Sequence, residues 1–412
     1  MEAWKKKTAW FLTSQGITLF GSSLVQFAMI WFVTKETSSG LWVSALTVCA
    51  FIPQMLISFI SGAWADRHPK RNIIIAADSA IAVATLILAI LIPFISHNTT
   101  LLIALLVTSV IRSLGAGIQQ PAVNALIPEL VPQEKLMRVN GINAMVQSVV
   151  QFAAPAIAGA LLTFGPMRST LFIDVATAVV GISVLLFAAI PAVKSDKERD
   201  GKGAFDDVKE GARYIRSNGF LGKLLVVYGV FIFLCVPAGF LASLFVSRTY
   251  GDSYVKMSIV EIIGFLGMLL GGLLMSAWGG FKNRVKTFLF GMTAFGLLAI
   301  GMGAIEIFAV YLVMMGVYGI ALTMVQTAVT TLIQEQAALE VQGRVFGFLG
   351  SVYSGCLPLG MIVFGPLADV VSMRILMIAS GAVLMIMALV LKLNNKFYEK
   401  GQAVKPVQEN EE

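Results

Sequence analysis

The chain has 412 residues, of which 57% are hydrophobic and only 13% charged, about half the charged share of an ordinary soluble domain. That much apolar material exceeds what one soluble core can enclose, which excludes a soluble enzyme. The 30 Lys and Arg against 23 Asp and Glu would suggest nucleic acid in a soluble protein, but here the basic residues fall in patches between apolar runs, a membrane pattern.

Apolar runs of about 20 residues predict six spans, at about 9–34, 41–65, 72–95, 100–128, 141–164 and 168–190. Six more follow at about 220–247, 256–279, 285–304, 307–334, 343–371 and 373–393. The domain expectation is therefore a bundle over 1–191, a cytoplasmic linker over 192–219, a second bundle over 220–393 and a cytoplasmic tail over 394–412. The first run is too long for a signal peptide and has no small-residue cleavage site, so it reads as a retained span.

Span 1 places Gln15, Ser22 and Gln26 on one helical face. Span 3 carries Asp78 about six residues from its cytoplasmic end, where it reads as a proton site or as a carboxylate bonded to the preceding loop or to span 4. A charge inside a span costs at least ~2.5 kcal/mol, so Arg112 near the middle of span 4 calls for a partner. The functional reading is an influence on a carboxylate or an anionic group, and the other is a structural ion pair. Its helix continues with Gln119, Gln120 and Asn124 on one polar face. Span 5 spaces Asn143, Gln147 and Gln151 at i, i+4 and i+8. Span 6 carries Asp174, six residues after Arg168, which stands as its candidate partner. Polar stripes of this kind either glue helices together or line an aqueous cavity.

The first half of the linker is charged and contains glycine, whereas Phe205, Val208, Ala212 and Ile215 share one helical face. That second half reads equally as a surface-lying amphipathic helix or a solvated tether. Span 7 is rich in aromatic residues, among them Tyr228 and Phe231, which suit a bulky apolar ligand or face lipid. In span 8, Glu261 stands among Ile, Val, Gly and Phe with no basic residue within four positions. It is chosen over Asp78 and Asp174 as the group that exchanges a proton, against the reading of a carboxylate bonded to Lys256 or Ser258.

Cys49, Cys235 and Cys356 all lie in apolar stretches without a C-x-x-C, and the only histidines are His68 and His97, so no metal site is expected. Without a G-x-x-x-x-G-K-[ST] loop, ATP is not the direct energy source, and no cofactor is expected. Orientation follows from Lys and Arg in the flanks. Lys5, Lys6, Lys7, Arg67, Lys70, Arg71, Lys135, Arg138, Lys282, Arg284, Lys286, Arg344 and the basic linker and tail share one side. Lys35, Arg168, Arg248, Lys256 and Arg374 stand on the other, so both termini are placed in the cytoplasm.

The halves repeat. An offset of 206 aligns Gln120 with Gln326, Glu129 with Glu335 and Arg138 with Arg344. Six helices separate the copies, so the repeat is parallel and predicts a central site between two bundles. The expected fold is an all-α integral membrane protein with 12 transmembrane helices in two pseudo-symmetric six-helix bundles.

The loop after span 2 reads Gly62-Ala-Trp-Ala-Asp66-Arg67-His68-Pro69-Lys70-Arg71. It resembles the 2–3 loop of the major facilitator superfamily, G-x-x-x-D-[RK]-x-G-[RK]-[RK], with Pro69 in place of the second glycine. The second copy keeps Gly272, Lys282 and Arg284 but has Ser276 where the acid would stand. The resemblance implies a gate in which Asp66, with Gly62, Arg67, Lys70 and Arg71, faces the start of span 11 near Gly343 and Arg344. It also sets Arg112 beside the superfamily's span-4 arginine, and Pro155 to Gly159 beside the exporters' span-5 motif. A closer similarity covers nearly the whole chain, in Ser38-Ser-Gly, Ala65 to His68, Gly115 to Pro132, Met257 to Gly272 and Gly343-Arg-Val-Phe. These segments resemble the macrolide-efflux (Mef-type) drug:proton antiporters.

What this implies is efflux of an amphipathic, macrolide-like drug across a bacterial cytoplasmic (inner) membrane by proton antiport and alternating access. The alternatives are a lysophospholipid or siderophore carrier of the same superfamily, or a non-transporting membrane sensor; an enzyme is not expected. The expected partners are a small drug, protons and the lipid bilayer, with no nucleic acid. The chain is expected to act as a monomer, with an ATPase-type partner left open. The proton-coupling candidates are Glu261, Asp174, Asp78 and Arg112, and the cavity candidates are Gln26, Asn124, Asn143, Gln147, Gln151, Tyr228, Phe231 and Gln326.

Overall fold

Backbone in hydrocarbon has no water to bond to, so a spanning segment must satisfy its own N–H and C=O groups, and the apolar runs fold as helices. The computed structural model describes residues 3–132, 136–188, 212–337 and 339–401. Of residues 3, 59–60, 62–67, 136–138, 140–141, 144 and 339–344 it describes the backbone alone. The first six helices are α1 (Ala3–Thr37), α2 (Gly40–Arg67), α3 (Lys70–Leu91), α4 (Asn98–Leu130), α5 (Leu136–Phe164) and α6 (Met167–Phe187). There follow α7 (Gly219–Leu234), α8 (Ala242–Tyr250), α9 (Tyr254–Trp278), α10 (Arg284–Ala304) and α11 (Phe308–Gln336). The last three are α12 (Leu339–Val370), α13 (Met373–Leu393) and the short α14 (Asn395–Glu399).

Among the described residues eleven helices are long and apolar enough to cross a membrane, and the shorter apolar α7 begins the remaining span. The protein is an all-α, multi-pass membrane protein with the twelve-span layout. The seventh span departs from the continuous 220–247 helix of the sequence reading. Residues 235–241 form turns that separate α7 from α8. Pro237 has no N–H to donate, and the backbone bonds shift to Leu241 N→Val236 O (3.0 Å) and Ala242 N→Gly239 O (3.2 Å). Within the linker, residues 212–217 are helical, and 192–211 lie outside the described residues, as does the tail from 402.

The chain divides into two compact units. The first comprises the described part of Met1–Glu198 together with Ser243–Ile262 and Met361–Asp369, so it is larger than the bundle over 1–191. In it α1 packs on α5 and α6, α2 on α4, and α3 on α4 and α6. Phe11, Leu12, Ile74, Leu126, Ile127 and Leu185 form part of its buried core.

The second unit comprises the described part of Arg199–Ala242 with Ile263–Gly360 and Val370–Glu412. Here α10 packs on α11 and α13, as α3 packs on α4 and α6 in the first. The repeat also extends to its ion pairs. Lys70 Nζ lies 2.6 Å from Glu129 in the first unit, and Arg284 Nε lies 3.1 Å from Glu335 in the second. Close backbone approach holds α9 to α11, because a Cβ on Gly267 would fall within 3.0 Å of the Gly316 Cα. Leu269, Ile386 and Phe187 are among many large apolar side chains left exposed, which suits lipid rather than water.

Candidate functional site

The polar residues of the first unit gather at two levels of α1, α3, α4 and α6. At one level Arg112 of α4, 7% exposed, donates through Nη1 to Asp174 Oδ2 of α6 and to Thr85 Oγ1 of α3. Its Nη2 donates to the Ser22 carbonyl of α1 at 3.3 Å. Asp174 is 1% exposed, so this is a buried ion pair, with the Thr85 hydroxyl and the Ser22 carbonyl as further, neutral acceptors for the guanidinium. Two helical turns along α4, about 10.5 Å, lies the second level. There Gln119 Nε2 donates to Asp78 Oδ1 at 2.8 Å and to Gln15 Oε1 at 3.5 Å.

The register follows from the antiparallel run of α3 beside α4, which pairs residue 78 with 119 and 85 with 112. Gly115 sits between the two levels, where a Cβ would lie 2.8 Å from Ile81 Cδ1, so the helices can approach there. Asp78 is 4% exposed and Gln15 is 8% exposed. The buried Asp78 Oδ2 and Gln15 Nε2 have no hydrogen-bond partner among the described residues. A polar cavity of about 90 Å³ borders Arg112 and is lined by Ser22, Gln26, Gln54, Ser109 and Ser113, among others.

The same unit bears an open groove of about 1220 Å³ between α1 and α5. Leu12, Gly16, Ile17 and Phe20 of α1 line it, with Ile142, Val146, Val149 and Ala153 of α5. The cavity residues expected from sequence lie elsewhere. Gln26 borders the small cavity. Asn143, Gln147 and Gln326 are half-buried, while Gln151 and Asn124 are exposed, and none of these five lines the groove. Tyr228 and Phe231 are buried inside the second unit, where Phe231 packs on Phe295 (centroids 4.9 Å apart) and Phe295 on Tyr318 (3.9 Å). The Tyr318 hydroxyl donates to the Cys235 carbonyl (3.4 Å), a backbone group beside the break in the seventh span.

Arg168 is not the partner of Asp174: its Nε donates to the Ala89 carbonyl (2.9 Å) and its guanidinium lies over the Phe172 ring. Arg112 takes that place. Glu261 makes no hydrogen bond or ion pair among the described residues. The neighbours considered for it are engaged elsewhere, Lys256 Nζ on the Tyr250 carbonyl and Ser258 Oγ on the Pro155 carbonyl at 2.8 Å. Of the gate residues, Lys70 pairs with Glu129 and Arg71 Nη2 donates to the Leu186 carbonyl at 3.5 Å. The side chains of Gly62, Asp66, Arg67 and Arg344 lie outside the described residues.

Sequence reasoning missed a further cluster in the first unit. Asp369, near the end of α12, accepts from Ser39 Oγ (2.7 Å) and from the first amides of α2, Gly40 N (2.6 Å) and Leu41 N (2.9 Å). A carboxylate here satisfies donors that an α-helix start leaves unpaired. Arg248 of α8 pairs with Asp369 at 2.6 Å and donates to the carbonyls of Ser38 and Ala368. The available signal was Ser38-Ser39-Gly40, a break between two apolar runs with a serine at the helix start.

The sequence matches the Major Facilitator Superfamily over residues 11–361. The chain belongs to the major facilitator superfamily. Among proteins of known name, it is 28% identical over 395 residues to macrolide efflux protein A of Streptococcus pyogenes, covering 95% of this chain and 97% of that one. It is 29% identical over 321 residues to macrolide efflux protein A of Enterococcus faecalis, covering 77% of this chain and 98% of the relative. Among solved structures, it is similar to a D-xylose-proton symporter, with a TM-score of 0.72 at 15% identity, covering 96% of this chain and 99% of that one. That structural likeness concerns the fold. The chain is thus a multi-pass membrane transporter of this superfamily.

Proposed function

We propose that the protein exports an amphipathic, macrolide-like drug across the bacterial cytoplasmic membrane, in exchange for protons, by alternating access. The observation that carries this reading is the α1–α5 groove of about 1220 Å³, apolar and large enough for a drug-sized molecule, in a chain similar over most of its length to macrolide efflux proteins. Buried Arg112, Asp174 and Asp78, and Glu261, which has no partner among the described residues, support the proton half of the reading, because intramembrane charges are expensive to keep. In this orientation both termini face the cytoplasm, as the basic flanks favour.

The cargo is tested with purified protein in proteoliposomes under an imposed pH gradient, offered a macrolide, a lysophospholipid and a siderophore in separate arms. Gradient-dependent movement of the macrolide is the expected result. Movement of either other cargo with the macrolide left behind would refute the assignment.

A further inference from the structure

We propose that Asp78 binds the exchanged proton on its Oδ2 atom, and that Gln15 of α1 links this step to occupation of the α1–α5 groove. The assignment rests on the antiport reading above and moves the proton site from Glu261, the residue favoured from sequence, to Asp78, whose buried cluster holds both an unfilled acceptor and an unfilled donor.

The charged groups on the elements packed against α3 are already engaged. On α4, Arg112 is with Asp174 and Glu129 is with Lys70. On α6, Arg168 is on the Ala89 carbonyl and the Phe172 ring. On α3 itself, Arg71 reaches the Leu186 carbonyl, and on α2 only the backbone of Asp66 and Arg67 is described. Asp78 therefore has no basic partner among the described residues, where its one side-chain donor is Gln119 Nε2, on Oδ1. A carboxylate offers about four acceptor positions, and burying it with one donor and no cation is costly. Adding one proton from water to Oδ2 forms an O–H bond and removes the charge. Release breaks that bond and restores the carboxylate, with no other bond altered.

Gln15 supplies what the charged form lacks. Its Nε2 is a buried donor without a partner, in the same cluster as the acceptor without a partner. Two complementary vacancies within one buried group point to a side-chain movement that joins them when the proton leaves. Gln15 is also placed to sense the drug. Leu12, Gly16 and Phe20 of α1 line the groove, while Gln15 and, two turns on, Ser22 face the Asp78 and Arg112 levels. Gly16 has little slack, since a Cβ there would lie 3.0 Å from Val146 Cγ1 of α5. A ligand that parts α1 from α5 therefore moves Gln15 against Asp78.

The test compares wild type with Asp78→Asn in proteoliposomes in two modes, drug accumulation driven by a pH gradient and drug–drug counterflow at equal pH. Asp78→Asn is expected to lose accumulation to the level of protein-free liposomes and to keep counterflow, which shows that it is folded. Asp78→Glu is expected to restore part of the accumulation. Should Asp78→Asn fail to fold, Gln15→Leu carries the test: it is expected to weaken accumulation and spare counterflow, and equal loss in both modes overturns the proposal. Wild-type accumulation by Asp78→Asn overturns the assignment and leaves antiport standing. Accumulation by the wild type that ignores the gradient overturns the antiport reading itself.

Discussion

Removing the charge of Asp174 while keeping its size isolates what the buried pair contributes. Asp174→Asn leaves the Arg112 guanidinium, 8% exposed at its side chain, without a counter-charge. Breaking one side of a buried pair costs about 3–5 kcal/mol. Arg112 would keep Thr85 Oγ1 and the Ser22 carbonyl as neutral acceptors, which puts the expected loss near the lower end, about 3 kcal/mol. The reverse change should be milder. Arg112→Met leaves a carboxylate that a proton can neutralise, whereas a guanidinium stays charged under all working conditions. The double variant Arg112→Met, Asp174→Leu removes both charges and should recover most of the loss. Unfolding of all four proteins in mixed micelles, by titration with a denaturing detergent, gives the three differences from wild type. Asp174→Asn within about 1 kcal/mol of wild type, or a double variant no better than Asp174→Asn, would refute a solvent-free pair.

Three other changes follow from the contacts described. Asp369→Ala removes an acceptor for two α2 amides and the partner of Arg248, and should cost about 1–2 kcal/mol in the same unfolding assay; Asp369→Asn, which can still accept, should lose less. Gly267→Val sets a side chain into the Gly316 backbone, so folded protein recovered from membranes should fall sharply, as a fluorescent size-exclusion profile would report. Val149 is 57% exposed on the groove, so Val149→Trp should weaken macrolide binding measured by calorimetry while leaving the melting temperature close to wild type; unchanged binding would place the drug elsewhere.

Hydropathy made the spans legible because each must be apolar over the thickness of a bilayer, whatever it packs against. It is blind to a local loss of donors, and so the break around Pro237 passed as continuous apolar chain. The repeat was legible at Glu129 and Glu335, and the two residues make equivalent ion pairs with Lys70 and Arg284. Partner choice inside the membrane was not. Arg112 and Asp174 are 62 positions apart, and their meeting depends on how α4 and α6 turn toward each other, whereas Arg168 was merely near in sequence. The same limit applies to Asp369 and α2, joined across about 330 positions. The polar stripes of α1 and α4 did mark helix faces that meet, at Gln15–Gln119 and Ser22–Arg112. The groove left no polar signal, because its lining is mostly apolar, of the kind that also faces lipid.

The central claim, drug movement tied to proton movement in the opposite direction, is tested most directly by recording both at once. Everted membrane vesicles are energised to an acidic interior, a macrolide is added outside, and lumenal pH and accumulated drug are followed together. Accumulation that rises with the gradient, raises the lumenal pH on drug addition and collapses with a protonophore is the predicted result. Accumulation that leaves lumenal pH unchanged and persists after the gradient is dissipated would contradict it.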